Sequence, residues 1–142
     1  LCFGVGDDLG WDDLGEALRG APMAHRVRFA LGAGPAAMAG GTSRLLLAAC
    51  LLAAETLPRG GEVLLAAEEG GFLLRATGRD QRWPEGLLRL LAGESVESLL
   101  GEGPRWVLAP WVFSLAQAEF RQLGLAMAVD GAPAVLRISA PA

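Results

Sequence analysis

The sequence predicts an α/β (α+β) two-layer sandwich, in which a mixed, largely antiparallel sheet carries helices on one face. Two pairs of short apolar segments, at 62–77 and 125–139, each surround a glycine-containing turn and indicate β-hairpins. Helical segments flank both hairpins, the clearest of them at 44–57. The 142 residues are 52% hydrophobic, enough to form one domain around a single core.

The first third of the chain is predicted to contain a helix, a strand and a buried helix. Asp12 or Asp13 can cap a short helix that runs to about Arg19, since Asp13 and Glu16 have capping-box spacing. Alternating polarity predicts a strand at 26–31. Thr42 or Ser43 is expected to cap the helix at 44–57, which is apolar on nearly every face. This helix should therefore be buried on more than one side.

The rest of the chain is predicted to continue from the first hairpin into helices and a second hairpin. Glu69, Gly70 and Gly71 separate the strands at 62–68 and 72–77, and a polar loop at 78–83 follows them. Asp130-Gly131 is a strong turn signal for the last hairpin. The later segments are a helix at 84–91, a helical turn at 94–100, a helix at 109–123 and strands at 125–129 and 134–139.

The composition excludes several classes of function. Twelve arginines, no lysine and sixteen acidic residues give a net charge of −4, which leaves no basic excess for nucleic-acid binding. Two cysteines and one histidine indicate neither a disulfide framework nor a structural zinc site. We recognise no leader and no membrane-length apolar run, so a reducing, cytoplasmic setting without membrane contact is expected.

Among the residues capable of chemistry, none forms a recognisable catalytic or metal-binding pattern. His25 is interpreted as an exposed residue at a strand edge, and Cys50 as a small residue of the core. The pairs Asp7-Asp8 and Asp12-Asp13 are interpreted as capping and solvated groups. Trp111 is expected to anchor the last helix in the core, as are Trp106 and Phe113, with a partner-binding role as the alternative.

Six segments, in order along nearly the whole chain, resemble the ChpT-type histidine phosphotransferase family. They are LCFGVG, AHRVRFALG, AAETLPRGGEVLL, ATGRDQRW, LLRLLAGE and PRWVLAPWVFSLAQAE. The stretch 45–65 resembles the long helix, Pro-x-Gly-Gly turn and strand of a histidine-kinase ATPase domain. The resemblance implies that 11–142 form a degenerate ATPase domain of this fold, and that 1–10 end a preceding helical hairpin.

Three departures from the ATPase pattern predict a domain without cofactor or metal. The resemblance puts the magnesium-binding asparagine at Leu52 and its upstream partner near Ala48, and the chain contains no asparagine. After the strand at 72–77 there is no Asp-x-Gly-x-Gly motif, and the glycine-rich lid is missing between the later helices. ATP binding is therefore not expected.

The function that the resemblance implies is phosphorelay signalling in a bacterial two-component system. The family's phosphorylated histidine lies on the preceding hairpin and His25 does not match it, so no catalytic residue is assigned here. The partners would be response-regulator receiver domains and a hybrid histidine kinase, with dimerisation through the hairpin where it is present. Arg79 and Arg82 are the candidate partner-binding residues, because arginine binds carboxylates with two hydrogen bonds. The alternatives are a divergent ATP-binding kinase domain and an unrelated protein-interaction module.

Overall fold

The computed structural model describes residues 11–21, 26–32, 34, 40–100, 108–119, 121–126 and 134–139. These residues form five helices and five strands. In chain order they are α1 (Trp11–Arg19), β1 (Val27–Leu31), α2 (Gly40–Glu55), β2 (Gly61–Glu68), β3 (Gly71–Thr77), α3 (Glu85–Leu91), α4 (Val96–Leu100), α5 (Leu108–Ala118), β4 (Gln122–Ala126) and β5 (Ala134–Ser139). The predicted end of a hairpin at 1–10 lies outside the described residues.

The five strands form one mixed sheet in the order β1-β2-β3-β5-β4. β1 runs parallel to β2, which requires the long crossover that contains α2, and every other pair is antiparallel. The β2–β3 pair is the predicted first hairpin, with Leu65 opposite Leu74 and the turn at Glu69 and Gly70. The predicted mixed, largely antiparallel sheet is confirmed.

One face of the sheet carries the core, because the strand registers place its apolar residues side by side. These inward residues are Val27 and Phe29 of β1, Val63 and Leu65 of β2, Phe72, Leu74 and Ala76 of β3, Leu123 and Leu125 of β4, and Ala134, Leu136 and Ile138 of β5. Helix α2 packs on this face and is buried almost throughout from Leu45 to Ala54. The prediction that this helix is buried on more than one side is confirmed.

The opposite face of the sheet carries charged side chains over a row of half-buried aliphatic residues. Arg28 pairs with Glu62 across β1 and β2, and Arg137 pairs with Glu68 at 3.3 Å. Arg75 lies between them on the central strand. This face is therefore solvated, and the helices cover the other one, as the two-layer prediction requires.

The N-terminal caps predicted for helices α1 and α2 are both wrong. Helix α1 begins at Trp11, so Asp12 and Asp13 lie in its first turn. There their negative charges interact favourably with the positive end of the helix dipole. Helix α2 begins at Gly40, and Thr42 and Ser43 therefore lie inside it. Trp11 extends α1 because its ring is buried and its Nε1 donates a 2.7 Å hydrogen bond to the carbonyl of Gly32.

The last helix ends five residues earlier than predicted. Helix α5 stops at Ala118, and residues 122–126 form β4, whereas the sequence predicted a strand at 125–129. Pairing with β5 explains the difference, since it puts Leu123 beside Ile138 and Leu125 beside Leu136 on the core face. The Asp130-Gly131 turn lies outside the described residues.

Candidate functional site

The loop between β3 and α3, residues 78–84, carries both arginines that the sequence singled out. Arg79 and Arg82 are exposed in this loop. The neighbouring Asp80 adopts a positive φ of 61°, a conformation that aspartate tolerates, and pairs with Arg59 at 2.9 Å. Both partners of that pair are exposed, so it contributes little to stability. Within the part of the chain that the structure describes, neither Arg79 nor Arg82 has an ion-pair partner.

Hydrogen bonds to Thr56, just beyond α2, fix the conformation of the loop. The backbone N–H of Arg82 donates to the carbonyl of Thr56 at 3.1 Å, and the side-chain amide of Gln81 donates to its hydroxyl at 2.9 Å. The same hydroxyl donates to the carbonyl of Ala53 at 2.6 Å. Since Thr56 is buried, these bonds connect an exposed loop to the core helix.

A cavity of about 300 Å³ opens between the end of α2, this loop and the start of α3. Its apolar walls come from Leu52, Trp83 and Pro84, and the indole Nε1 of Trp83 donates a 3.2 Å hydrogen bond to the carbonyl of Ala126 in β4. The remaining lining residues are Glu55, Thr56, Arg82 and Glu85. The cavity thus combines an apolar interior with three charged side chains.

The residues that would have to hold a magnesium nucleotide do not fit it. Leu52, at the position that the resemblance gives to the magnesium-binding asparagine, is 1% exposed, and Ala48, one turn before it, is fully buried. Neither side chain offers an oxygen to a hard cation. Nor do the described residues contain three clustered His, Cys, Asp or Glu side chains that would hold a metal ion.

Two titratable groups on α2 have shifted pKa values. Partial burial raises the pKa of Glu55 above its ordinary value, and the Arg26 guanidinium offsets part of this rise. Complete burial raises the pKa of the Cys50 thiol far above its usual range. Because the thiolate is the reactive form, Cys50 is an inert core residue, in agreement with the sequence interpretation.

The other residues that the sequence singled out contribute nothing to this cavity. His25, Trp106 and the pair Asp7-Asp8 lie outside the described residues. Trp111 is 41% exposed on α5, so the prediction that it anchors the helix in the core is wrong. Its neighbour Val112 is fully buried instead, because the turn of the helix places Val112 on the core side and Trp111 on the exposed side.

Sequence reasoning missed four residues of the cavity. Glu55, Thr56 and Glu85 were not singled out, and Trp83 was assigned only to a polar loop. The available signal was their position, since Glu55 interrupts the apolar run of α2 and Trp83 stands before Pro84 at the start of α3. An aromatic residue at such a junction indicates a loop that folds back onto the core.

Comparisons with known proteins show which family and which solved structures the domain around this site resembles. A family model described as "Histidine phosphotransferase C-terminal domain" matches residues 11–131. A bacterial phosphotransferase of known structure superposes with a TM-score of 0.78 over 96% of this chain, at 19% sequence identity. The cytoplasmic segment of the histidine kinase QseC superposes with a TM-score of 0.53 over 95% of the chain and 77% of its own, at 15% identity.

The similarity covers only part of the solved phosphotransferase. This chain spans 65% of the length of that protein. No curated protein matches the sequence significantly. Among the residues described, none of the helices combines the length and apolar character needed to cross a membrane.

Proposed function

We propose a role in phosphorelay signalling for this chain, on the premise that it belongs to the family of histidine phosphotransferase C-terminal domains. In this proposal the whole protein passes phosphoryl groups between receiver domains of a bacterial two-component system. The domain at 11–142 binds no ATP and helps a response-regulator receiver to dock. A hybrid histidine kinase is the proposed upstream partner.

The burial of Leu52 is the observation that carries the proposal. A kinase-type domain needs an oxygen ligand at this helix position to hold magnesium on its nucleotide, and here the position belongs to the core. The fold is kept although the ligand is absent. A protein-binding role accounts for a retained fold without the nucleotide chemistry.

The loop at 78–84 supports receiver docking through its charge. Arg79 and Arg82 are exposed, and neither has an ion-pair partner among the described residues. The guanidinium group offers donors in a planar fork that fits a carboxylate. The hydrogen bonds to Thr56 hold the loop in place, which lowers the entropy lost when a partner binds.

The phosphorylated histidine is proposed to lie outside this domain. The solved phosphotransferase is longer than this chain, and our proposal places a histidine-bearing helical hairpin before residue 11, with 1–10 as its end. Such a hairpin would also supply the dimer interface. We propose that the protein acts in the cytoplasm, where receiver domains are found.

Binding of a purified receiver domain, measured by calorimetry, tests the proposal. We expect saturable binding by the purified protein, weakened about tenfold by Arg79→Ala or Arg82→Ala, as for loss of a charged hydrogen-bonded contact. Arg75→Ala is the matched control, because it removes the same charge from the far face of the sheet. No binding of any receiver tested, or equal weakening by all three variants, would contradict the proposed docking.

A further inference from the structure

The cavity beside α2 brings together opposite charges that do not neutralise one another. Glu55, Arg82 and Glu85 all line it, yet no ion pair forms among them. They are fixed on three separate elements: Glu55 ends α2, Arg82 is held through its backbone N–H on Thr56, and Glu85 begins α3. A positive and a negative group therefore face one cavity from different sides.

The polar groups inside the cavity already have hydrogen-bond partners in the protein. Leu52, Trp83 and Pro84 line the cavity; Pro84 is half-buried, whereas Leu52 and Trp83 expose only small apolar areas. The Thr56 hydroxyl already donates to Ala53 and accepts from Gln81, and the indole N–H of Trp83 is bonded to Ala126. A ligand would thus be recognised through the three charges at the rim and through apolar contact inside.

The environment of Glu55 favours a cation from outside the protein. Burial raises the pKa of this carboxyl, and Arg26 compensates only in part. An ammonium group placed beside Glu55 would stabilise its ionised form. Glu85 would add a second carboxylate, and Arg82 would bind a negative group on the same ligand.

The volume limits the size of the ligand. About 300 Å³ is the lower end of the range for small-molecule sites, so a molecule of about ten non-hydrogen atoms is favoured. We infer that this cavity binds a small zwitterion with an apolar side chain, an apolar α-amino acid being the simplest member of the class. Its ammonium group lies toward Glu55 and Glu85, its carboxylate binds Arg82, and its side chain contacts Pro84 and the small exposed areas of Leu52 and Trp83.

Calorimetric titration with L-leucine tests this inference directly. For about nine non-hydrogen atoms and two charged contacts we expect a Kd between about 10 µM and 1 mM. N-acetyl-L-leucine lacks the ammonium group and L-leucinamide lacks the carboxylate, so each should bind at least tenfold more weakly. Absence of saturable binding at about 10 mM leucine, well above the expected Kd, would overturn the inference. Equal binding of the three compounds would overturn it as well.

Variants connect the binding to the cavity. Glu55→Gln and Arg82→Ala should each weaken leucine binding about tenfold or more, whereas Arg75→Ala on the far face of the sheet should leave it unchanged. Thermal unfolding of each variant verifies that it is folded. Leucine affinity that survives both cavity substitutions would place any binding elsewhere and refute the inferred site.

The result is separable from receiver docking. Glu55→Gln changes a cavity residue outside the docking loop, so it should weaken leucine binding about tenfold or more and retain receiver affinity. Arg79 is absent from the cavity lining, and Arg79→Ala should do the reverse. If the unmodified protein binds a receiver but not leucine, this inference alone is contradicted; if it binds leucine but no receiver, the proposed function alone is contradicted.

Discussion

The side-chain amide of Gln81 donates a 2.9 Å hydrogen bond to the hydroxyl of Thr56, joining an exposed loop to the end of a buried helix. The loop carries Arg79 and Arg82, and the helix carries Leu52, where the resemblance to the ATPase fold places a magnesium-binding asparagine. The same contact therefore shapes the cavity and holds the proposed docking surface. Its loss should affect both.

Replacing Thr56 by valine removes this contact without a large change in volume. The Gln81 amide loses its acceptor, so the free energy of unfolding should fall by about 1–2 kcal/mol in urea denaturation. Thr77→Val, at an exposed position of β3, is the control and should change stability by less than about 0.5 kcal/mol. Equal effects of the two substitutions would show that the Thr56 hydroxyl stabilises nothing.

The shifted pKa of Glu55 makes stability depend on pH in a defined direction. Because the folded pKa is raised above 4.5, the group's favourable contribution is full below about pH 4.5 and is lost as the pH rises through the folded pKa. Glu55→Gln should therefore be slightly more stable than the parent at pH 7, by on the order of 1 °C in Tm given partial solvent screening. The difference should narrow below pH 4.5.

Thermal unfolding from about pH 4, below the ordinary glutamate pKa, to about pH 8, well above it, measures this effect. Glu16→Gln, on the exposed side of α1, controls for the loss of one negative charge. A Glu55→Gln protein that is less stable at pH 7 than at pH 4, relative to the parent, would mean that the ionised carboxylate stabilises the fold instead.

Gly61 begins β2 with a φ of +145° and leaves no space for a side chain. An added Cβ would lie 2.2 Å from the carbonyl oxygen of Thr77 in the paired strand. Gly61→Ala should destabilise the protein by about 2–4 kcal/mol, through backbone strain and this contact. Gly124→Ala has open space around the Cβ and should lie within about 0.5 kcal/mol of the parent. If chemical denaturation shows no loss of stability for Gly61→Ala, the close approach of Gly61 to the Thr77 carbonyl is refuted.

Two tryptophans should differ sharply in their contribution to stability. Trp83 is 2% exposed and hydrogen-bonded to Ala126, so Trp83→Ala should cost about 3–5 kcal/mol. Trp111 is 41% exposed, and Trp111→Ala should cost less than about 1 kcal/mol. Denaturation followed by circular dichroism compares the two, and a reversed order would contradict the placement of the loop on the core.

The sequence predicted the layered fold because its strongest patterns are local. The all-round apolar character of α2 requires burial on several sides, and the Gly-Gly and Glu-Gly turns fix β2 and β3. The position of β4, by contrast, is not set by a local sequence pattern. It depends on pairing with β5, and this tertiary contact draws residues 122–123 out of the predicted helix.

Only part of the candidate site could be predicted from the sequence. Arg79 and Arg82 stand out as charges in a polar loop, and Leu52 follows from the resemblance. The cavity itself depends on the return of Trp83 to the core and on its hydrogen bond to β4, 43 residues away. No local pattern contains such a long-range contact, so Glu55 and Glu85 could not be placed beside it.

Calorimetric titration of the protein with a non-hydrolysable ATP analogue and magnesium tests the central claim most directly. With Leu52 and Ala48 buried where a nucleotide-bound magnesium would need oxygen ligands, we expect no saturable heat and no thermal shift. Saturable binding at micromolar analogue would contradict the account and identify the chain as a divergent ATP-binding kinase domain.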